Sequence, residues 1–409
     1  MRRRLTLGVI SVATITGLML TGCSSGTDAA SQTEDSLVWS MWISGSEDQA
    51  AWQEVADAVS AEGGPEVTIQ GSPFTDYWTK LRTQLSAGDA PCIVSIQSLR
   101  AANFTDVLMP IDSLAEEAGV DLSEFDETAL DGMRVDGDLY ALPYDTGPVV
   151  MFYNQDLFEE VGAEPPRPGW TLDDFEAAAA RFAEAGTPIL ASSVEDLFVE
   201  SLILGYNGGR VIAEDGGLDA TDPGFAEGLD WMSSLVDAGQ ATQASSEASA
   251  DDNAYVNGQA GMYIDGPWSL LTQKSRVDFT LGVTTIPAGT TGPSTFSAGS
   301  GFGVSKECAH PDRAFEAIRT MTSEQVLTSL AEQGRAFPSR TAAQQTWYDS
   351  ADIEGAQEVL TAAQQASTPL PGNRQSDQLA QLLTQYAVQA VNGQRSGAET
   401  MESIAGQLG

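Results

Sequence analysis

Basic residues are scarce in this 409-residue chain: 19 lysines and arginines stand against 58 aspartates and glutamates, a formal charge of −39. So negative a surface repels phosphate backbones, which argues against nucleic acid as a partner, and it disfavours docking on anionic lipid by charge alone. Histidine occurs once, at His310, so a histidine-rich metal site or an HExxH zinc centre cannot be built. The lysines are Lys80, Lys274 and Lys306, and none follows glycine, which removes the phosphate-binding P-loop. No G-x-G-x-x-G occurs. Gly299-Ser300-Gly301-Phe302-Gly303 has the wrong spacing and reads better as a loop that approaches a ligand or backbone. The lone G-x-S-x-G, Gly22-Cys23-Ser24-Ser25-Gly26, lies in the N-terminal leader, and His310 before Pro311 fits no triad. Composition does leave standing a glycosidase built on two carboxylates, because acids are everywhere. The expectation is a protein that is not an enzyme and needs no metal or cofactor.

Long apolar runs are also missing, except at the start. Arg2, Arg3 and Arg4 precede residues 5–22, eighteen residues without a charge. A basic n-region ahead of a short apolar stretch is the pattern of an export signal, too short and too diluted by Thr and Gly for a comfortable membrane span. Leu20-Thr21-Gly22-Cys23 resembles the lipobox of bacterial lipoproteins, which implies cleavage before Cys23 and a lipid anchor on its thiol. The expected leader is 1–22. Residues 23–36, rich in Ser, Thr, Ala and Asp, suit a flexible tether. The other cysteines, Cys92 and Cys308, either pair in an oxidising compartment or serve as two small buried side chains.

Length and a hydrophobic content of 42% predict a folded body of two domains. Ser36-Leu37-Val38-Trp39-Ser40-Met41-Trp42 reads as a buried strand, and Ala51, Val55, Ala58 and Val59 as a helix stopped by Gly63-Gly64-Pro65. A strand at 67–70 follows, then a helix through Tyr77, Leu81 and Leu85 closed by Gly88, then a strand at 93–96. This alternation predicts a doubly wound α/β sheet, with ligand beyond the carboxyl ends of the strands at 42–46, 71–74 and 97–100. Pro143 and Pro148 mark a segment that changes direction. Thr171 with Asp174 opens a helix whose buried stripe is Phe175, Ala179 and Phe182.

Several motifs together resemble the extracellular solute-binding proteins of bacterial ABC importers, the large sugar-binding family. They are Tyr77-Trp78-Thr79-Lys80-Leu81 through Gly88-Asp89-Ala90-Pro91, and Asp136-Gly137-Asp138-Leu139-Tyr140-Ala141-Leu142-Pro143-Tyr144-Asp145 running on to Phe152-Tyr153-Asn154. Gly258-Gln259-Ala260-Gly261-Met262-Tyr263-Ile264-Asp265-Gly266-Pro267-Trp268 and Gly301-Phe302-Gly303-Val304 complete the set. The resemblance implies two α/β lobes of the periplasmic-binding-protein type, with a ligand cleft between them and hinge closure that delivers the ligand to a permease. Its expected boundaries are 37–145 with 281–312 for the first lobe and 146–280 with 313–409 for the second, with crossings near Asp145, Thr280 and Pro311. Where the family carries Asp after Pro91 this chain has Cys92, and Cys308 ends a strand of the same lobe, which suggests a Cys92–Cys308 disulfide.

Sugars present apolar C–H faces to aromatic rings and hydroxyls to amides and carboxylates. The candidate ligand residues are therefore Trp42, Ser44, Glu47, Tyr77, Gln97, Tyr144, Asp145, Asn207, Asp265, Trp268, Gly301 and Arg335. Trp78 is ambiguous, and Trp231 lies in a helical apolar pattern that suits a core. An anionic ligand would need converging basic groups, and only Arg100 and Arg335 stand near the expected cleft. A neutral sugar held by a monomer fits best. The rivals are a betaine-like osmolyte in an aromatic cage and a sensing lobe that reports to a receptor.

Overall fold

The computed structural model describes residues 32–408 apart from Ser44, Asp89, Asp215 and Ala248. The leader, Cys23, Ser44 and the side chain of Glu47 lie outside the described residues. Among the described residues no helix is long and apolar enough to cross a membrane.

The first lobe is built on a five-stranded sheet. Strand Ser36–Trp42 pairs in parallel along its whole length with Glu66–Ser72, and on its other side with Ile93–Gln97. The sheet is mixed rather than wholly parallel, because Ser300–Val304 runs antiparallel to Ile93–Gln97 and carries Leu142–Pro143 on its far edge. Leu37, Trp39, Met41, Val94, Ile96 and Phe302 supply its core. Helix Ser46–Ala61 buries Trp52, Val55, Ala56 and Val59 there, and helix Phe74–Ala87 buries Tyr77, Leu81 and Leu85 before Gly88 ends it in the left-handed region.

The second lobe centres on strand Val150–Asn154, which pairs antiparallel with Leu281–Thr284 and Met262–Asp265. Thr295–Ala298 pairs with Gly147–Pro148 and Ser367–Pro369 in a second small sheet. Helix Leu172–Ala185 opens with the expected capping box of Thr171 and Asp174 and buries Phe175, Ala179 and Phe182.

Two expected boundaries are corrected. Leu281–Thr284 belongs to the second lobe, since its ladder partner is Val150–Asn154. Helix Pro311–Met321 belongs to the first, where its apolar stripe of Ala314, Phe315, Ile318 and Met321 enters the same core as Trp39 and Phe302. The chain therefore crosses at Tyr144-Asp145-Thr146, at Ala298-Gly299-Ser300 and at Phe337-Pro338-Ser339, not near Thr280 or Pro311. These three segments bond to one another. Tyr144 N donates to Ser300 O at 2.9 Å, Thr146 N to Phe337 O at 3.0 Å and Ser339 N to Tyr144 O at 3.1 Å. Gly299 is required here, because a Cβ would lie 2.7 Å from the Asp145 carbonyl oxygen.

Cys92 and Cys308 form a disulfide with Cα atoms 4.7 Å apart. It joins the start of one strand to the turn after its neighbour, two segments already aligned by the Ile93↔Val304 pairing and by Ser305 N donating to Cys92 O.

Candidate ligand-binding cleft

The first-lobe wall is aromatic. Trp42 ends its strand, and Phe74 and Trp78 stand one turn apart on the helix that follows the neighbouring strand, so helical periodicity puts both beside Trp42. The Trp42 ring centroid lies 5.6 Å from Phe74 and 5.7 Å from Trp78. Phe74, at 37% exposure, is the one exposed large hydrophobic side chain among the described residues. An apolar face left open beside two indoles suits the C–H face of a ligand better than a core.

At the end of strand Ile93–Gln97 the chain turns into a 3-10 helix, Ser98–Asn103, that sits between the lobes. Its Leu99 is buried in the second lobe's core, which contributes roughly 2 kcal/mol to their contact. Its Arg100 lies over the Trp78 ring at 4.8 Å and reaches across to the second lobe. There Nε donates to Asp377 at 2.9 Å, and Nη2 stands 3.7 Å from Asp196. Gln97 accepts from Nη1. Both acids occupy the first turn of a helix, where the exposed backbone N–H groups favour negative charge.

The second-lobe wall adds Trp268 and a set of carboxylates. Half-buried Trp268 packs against the hinge at Gly147, where a Cβ would collide with Pro267. Asp265, one turn before it, is buried, accepts from Gly266 N at 2.7 Å, and is pushed up to about 7 by the loss of water. Glu195 keeps access to solvent yet stands enclosed by protein, as a cleft wall does. That enclosure, reinforced by Asp251, Asp196 and Asp265 and opposed by Arg100, pushes it up to about 8.

Of the expected residues, Trp42 stands beside Phe74 and Trp78, Gln97 accepts from Arg100, and Asp265 and Trp268 stand together at the end of strand Met262–Asp265. Others are placed elsewhere. Tyr77 is fully buried behind Trp42, its hydroxyl 2.7 Å from Ser95 O and 3.1 Å from Ser40 O, with its pKa raised by burial. Tyr144 is a core residue stacked on Phe302 with centroids 4.7 Å apart. Asp145 is a hinge residue: its buried carboxylate accepts from Ser300 N and rises to about 7 through desolvation. Asn207 closes its own loop, donating to Gly224 O at 2.8 Å and accepting from Gly209 N at 2.9 Å. Gly301 lies inside the sheet between Ile96 and Pro143, where a Cβ would sit 2.9 Å from Leu142 O. Arg335 pairs with Asp48 at 3.2 Å and so ties two elements beside the hinge.

Sequence reasoning reached Phe74 only as a member of a strand-end segment and Arg100 as a basic group near the cleft, and it did not single out Glu195, Asp196 or Asp377. The last two look like ordinary first-turn acids until folding brings Arg100 to them.

A cavity of 560 Å³ also lies between the lobes, on a different face of the same 3-10 helix, lined by Ser98, Ala101 and Ala102 and by residues 368–372. Among the described residues no aromatic ring lines it.

The architecture is thus two α/β lobes joined by three crossings that bond to one another. The chain belongs to the bacterial extracellular solute-binding protein family, whose profile matches residues 54–362. A lactose-binding protein of Rhizobium radiobacter is 25% identical over 312 residues, 71% of this chain and 73% of that one. A binding protein of Brucella abortus is 27% identical over 252 residues, 59% of this chain and 60% of its own length. An ABC substrate-binding protein of Listeria monocytogenes, solved in complex with cycloalternan, superposes with a TM-score of 0.81 at 22% identity, over 91% of this chain and 97% of that one. That likeness establishes the two-lobed α/β fold.

Proposed function

We propose that this chain is the substrate-binding component of an ABC importer and captures a neutral mono- or oligosaccharide by hinge closure, for delivery to a membrane permease. The observation that carries the reading is the exposed Phe74 and half-buried Trp42, backed by buried Trp78 beneath Arg100, on a first lobe whose hinge at Gly147 packs against half-buried Trp268 of the second. Rings take the C–H faces of a sugar, and buried carboxylates take its hydroxyls. Arg100 and Arg335, the basic groups of this region, already pair with acids, which disfavours an anionic cargo. The lactose-binding and cycloalternan-bound relatives support a saccharide. The chain is read as a monomer on the extracytoplasmic face, exported by residues 1–22 and held by lipid on Cys23, with Ser44 and Glu47 beside the ligand.

Thermal unfolding of the soluble form lacking residues 1–23, against panels of saccharides, betaines and amino acids, tests this. Ligand at a hundred times its dissociation constant adds about 2.7 kcal/mol of stability. Stabilisation by a neutral saccharide supports the proposal. The carboxylates around Glu195 would favour the osmolyte reading instead, and stabilisation by quaternary amines alone would establish it. Radiolabelled fatty acid retained by the full chain and lost with Cys23→Ser checks the anchor.

A further inference from the structure

Arg100 is the obvious anion receptor of the cleft, yet it is filled. It sits between the lobes, 8% exposed, over the faces of Trp78 and, at 5.7 Å, Phe74. Its Nε donates to Asp377, its Nη1 to Gln97, and Asp196 stands 3.7 Å from Nη2. Asp377 also takes Arg82 at 3.2 Å. Two guanidinium groups of the first lobe thus meet two carboxylates of the second, and the four charges cancel. Nothing in the packing of Leu99 or of the aromatic wall requires this. Two neutral side chains in place of the acids would leave the same arginine on the same rings without its two ion-pair partners, with the raised carboxyl of Glu195 still near it.

We propose that Asp196 and Asp377 are specificity residues: by occupying Arg100 from the opposite lobe, they close the cleft to saccharides that carry a phosphate or carboxylate and leave it to neutral ones. The inference rests on the interlobe cleft being the ligand site. A ligand anion competing for Arg100 must displace Asp377 from a charge-assisted hydrogen bond, and on closure it meets two carboxylates at close range in a partly dry space. A neutral sugar lies on the rings and leaves the ion pairs intact.

The test compares the wild type with Asp196→Asn/Asp377→Asn by calorimetric titration at low ionic strength. The probes are lactose and maltotriose on one side, and sn-glycerol 3-phosphate, glucose 6-phosphate and galacturonate on the other. The expected result is that the anion-to-neutral affinity ratio rises by about tenfold or more in the double variant, since a freed guanidinium beside the ligand is worth at least one such factor. Adding Arg100→Gln to the double variant should remove the gain. A folded double variant that binds the anions no better than the wild type overturns the proposal, as does a wild type that takes anions as readily as neutral sugars. Should the double variant fail to fold, Asp377→Asn alone is read the same way, because it removes the charge-assisted hydrogen bond that occupies Arg100 Nε while Leu99 still joins the lobes. A wild type that binds none of the neutral probes counts against the sugar reading, whereas the gain or absence of anion binding in the variant still decides the role of the two acids.

Discussion

Replacing both Cys92 and Cys308 with alanine should lower stability without disturbing the native fold. The bond spans a sequence separation of 216 residues and encloses all of the second lobe's strands except Ser367–Pro369. Constraining a loop of that length removes about 18 cal/mol/K of chain entropy from the unfolded state, which is about 5 kcal/mol at room temperature. The folded state gains little from the bond, because Ile93↔Val304 and the Ser305 N to Cys92 O hydrogen bond hold the two segments together without it. The stabilisation thus resides in the unfolded chain. Urea unfolding followed by the emission of Trp39, Trp52 and Trp78, all buried in the first lobe, should show a loss of about 3–5 kcal/mol. Ligand affinity of the folded variant should be unchanged. A loss under about 1 kcal/mol would refute the entropic argument, and labelling of both thiols before reduction would refute the bond itself.

Other expectations follow from the hinge and the cleft. Asp145 and Asp265 are raised to about 7 by burial, so the native state binds protons that the unfolded chain has released. Their contribution to stability is full below about pH 4 and declines between about pH 4 and 7, by up to about 4 kcal/mol each. Melting curves across that range should flatten with Asp145→Asn, and an unchanged profile would contradict the assignment. Phe74→Ala, at an exposed position, should change the melting temperature little while weakening sugar binding by about tenfold. Trp268→Ala should weaken it more, by about 2 kcal/mol. Gly299→Ala places a Cβ 2.7 Å from Asp145 O, so the hinge must shift, and a cost of about 1–3 kcal/mol in closure should appear as a raised dissociation constant.

Short-range order was legible in the residues. The alternation of Ser36–Trp42 and Ile93–Gln97 with amphipathic helices, and the capping of Leu172–Ala185 by Thr171, depend on neighbours in sequence and stand where periodicity puts them. Lobe membership did not follow. Helix Pro311–Met321 declares one buried face but not which core receives it, and Leu281–Thr284 is an apolar strand that either sheet could have taken. The same limit governed the site. Trp42 and Trp268 follow a strand end and a Gly-Pro turn, positions that point outward. Tyr77 and Tyr144 offered the same chemistry, yet their rings complete the core. Asp377 meets Arg100 across 277 residues of sequence, a contact that no local pattern encodes.

Titrating the form lacking residues 1–23 with neutral oligosaccharides while following tryptophan emission reads saccharide capture itself, because Trp42 and Trp268 are half-buried and Trp78 packs behind Trp42. A neutral-sugar receptor should give a saturable change with at least one neutral saccharide, abolished in Trp42→Ala/Trp268→Ala, and none with glucose 6-phosphate. A response to anionic ligands alone, or one that survives the loss of both tryptophans, would contradict it.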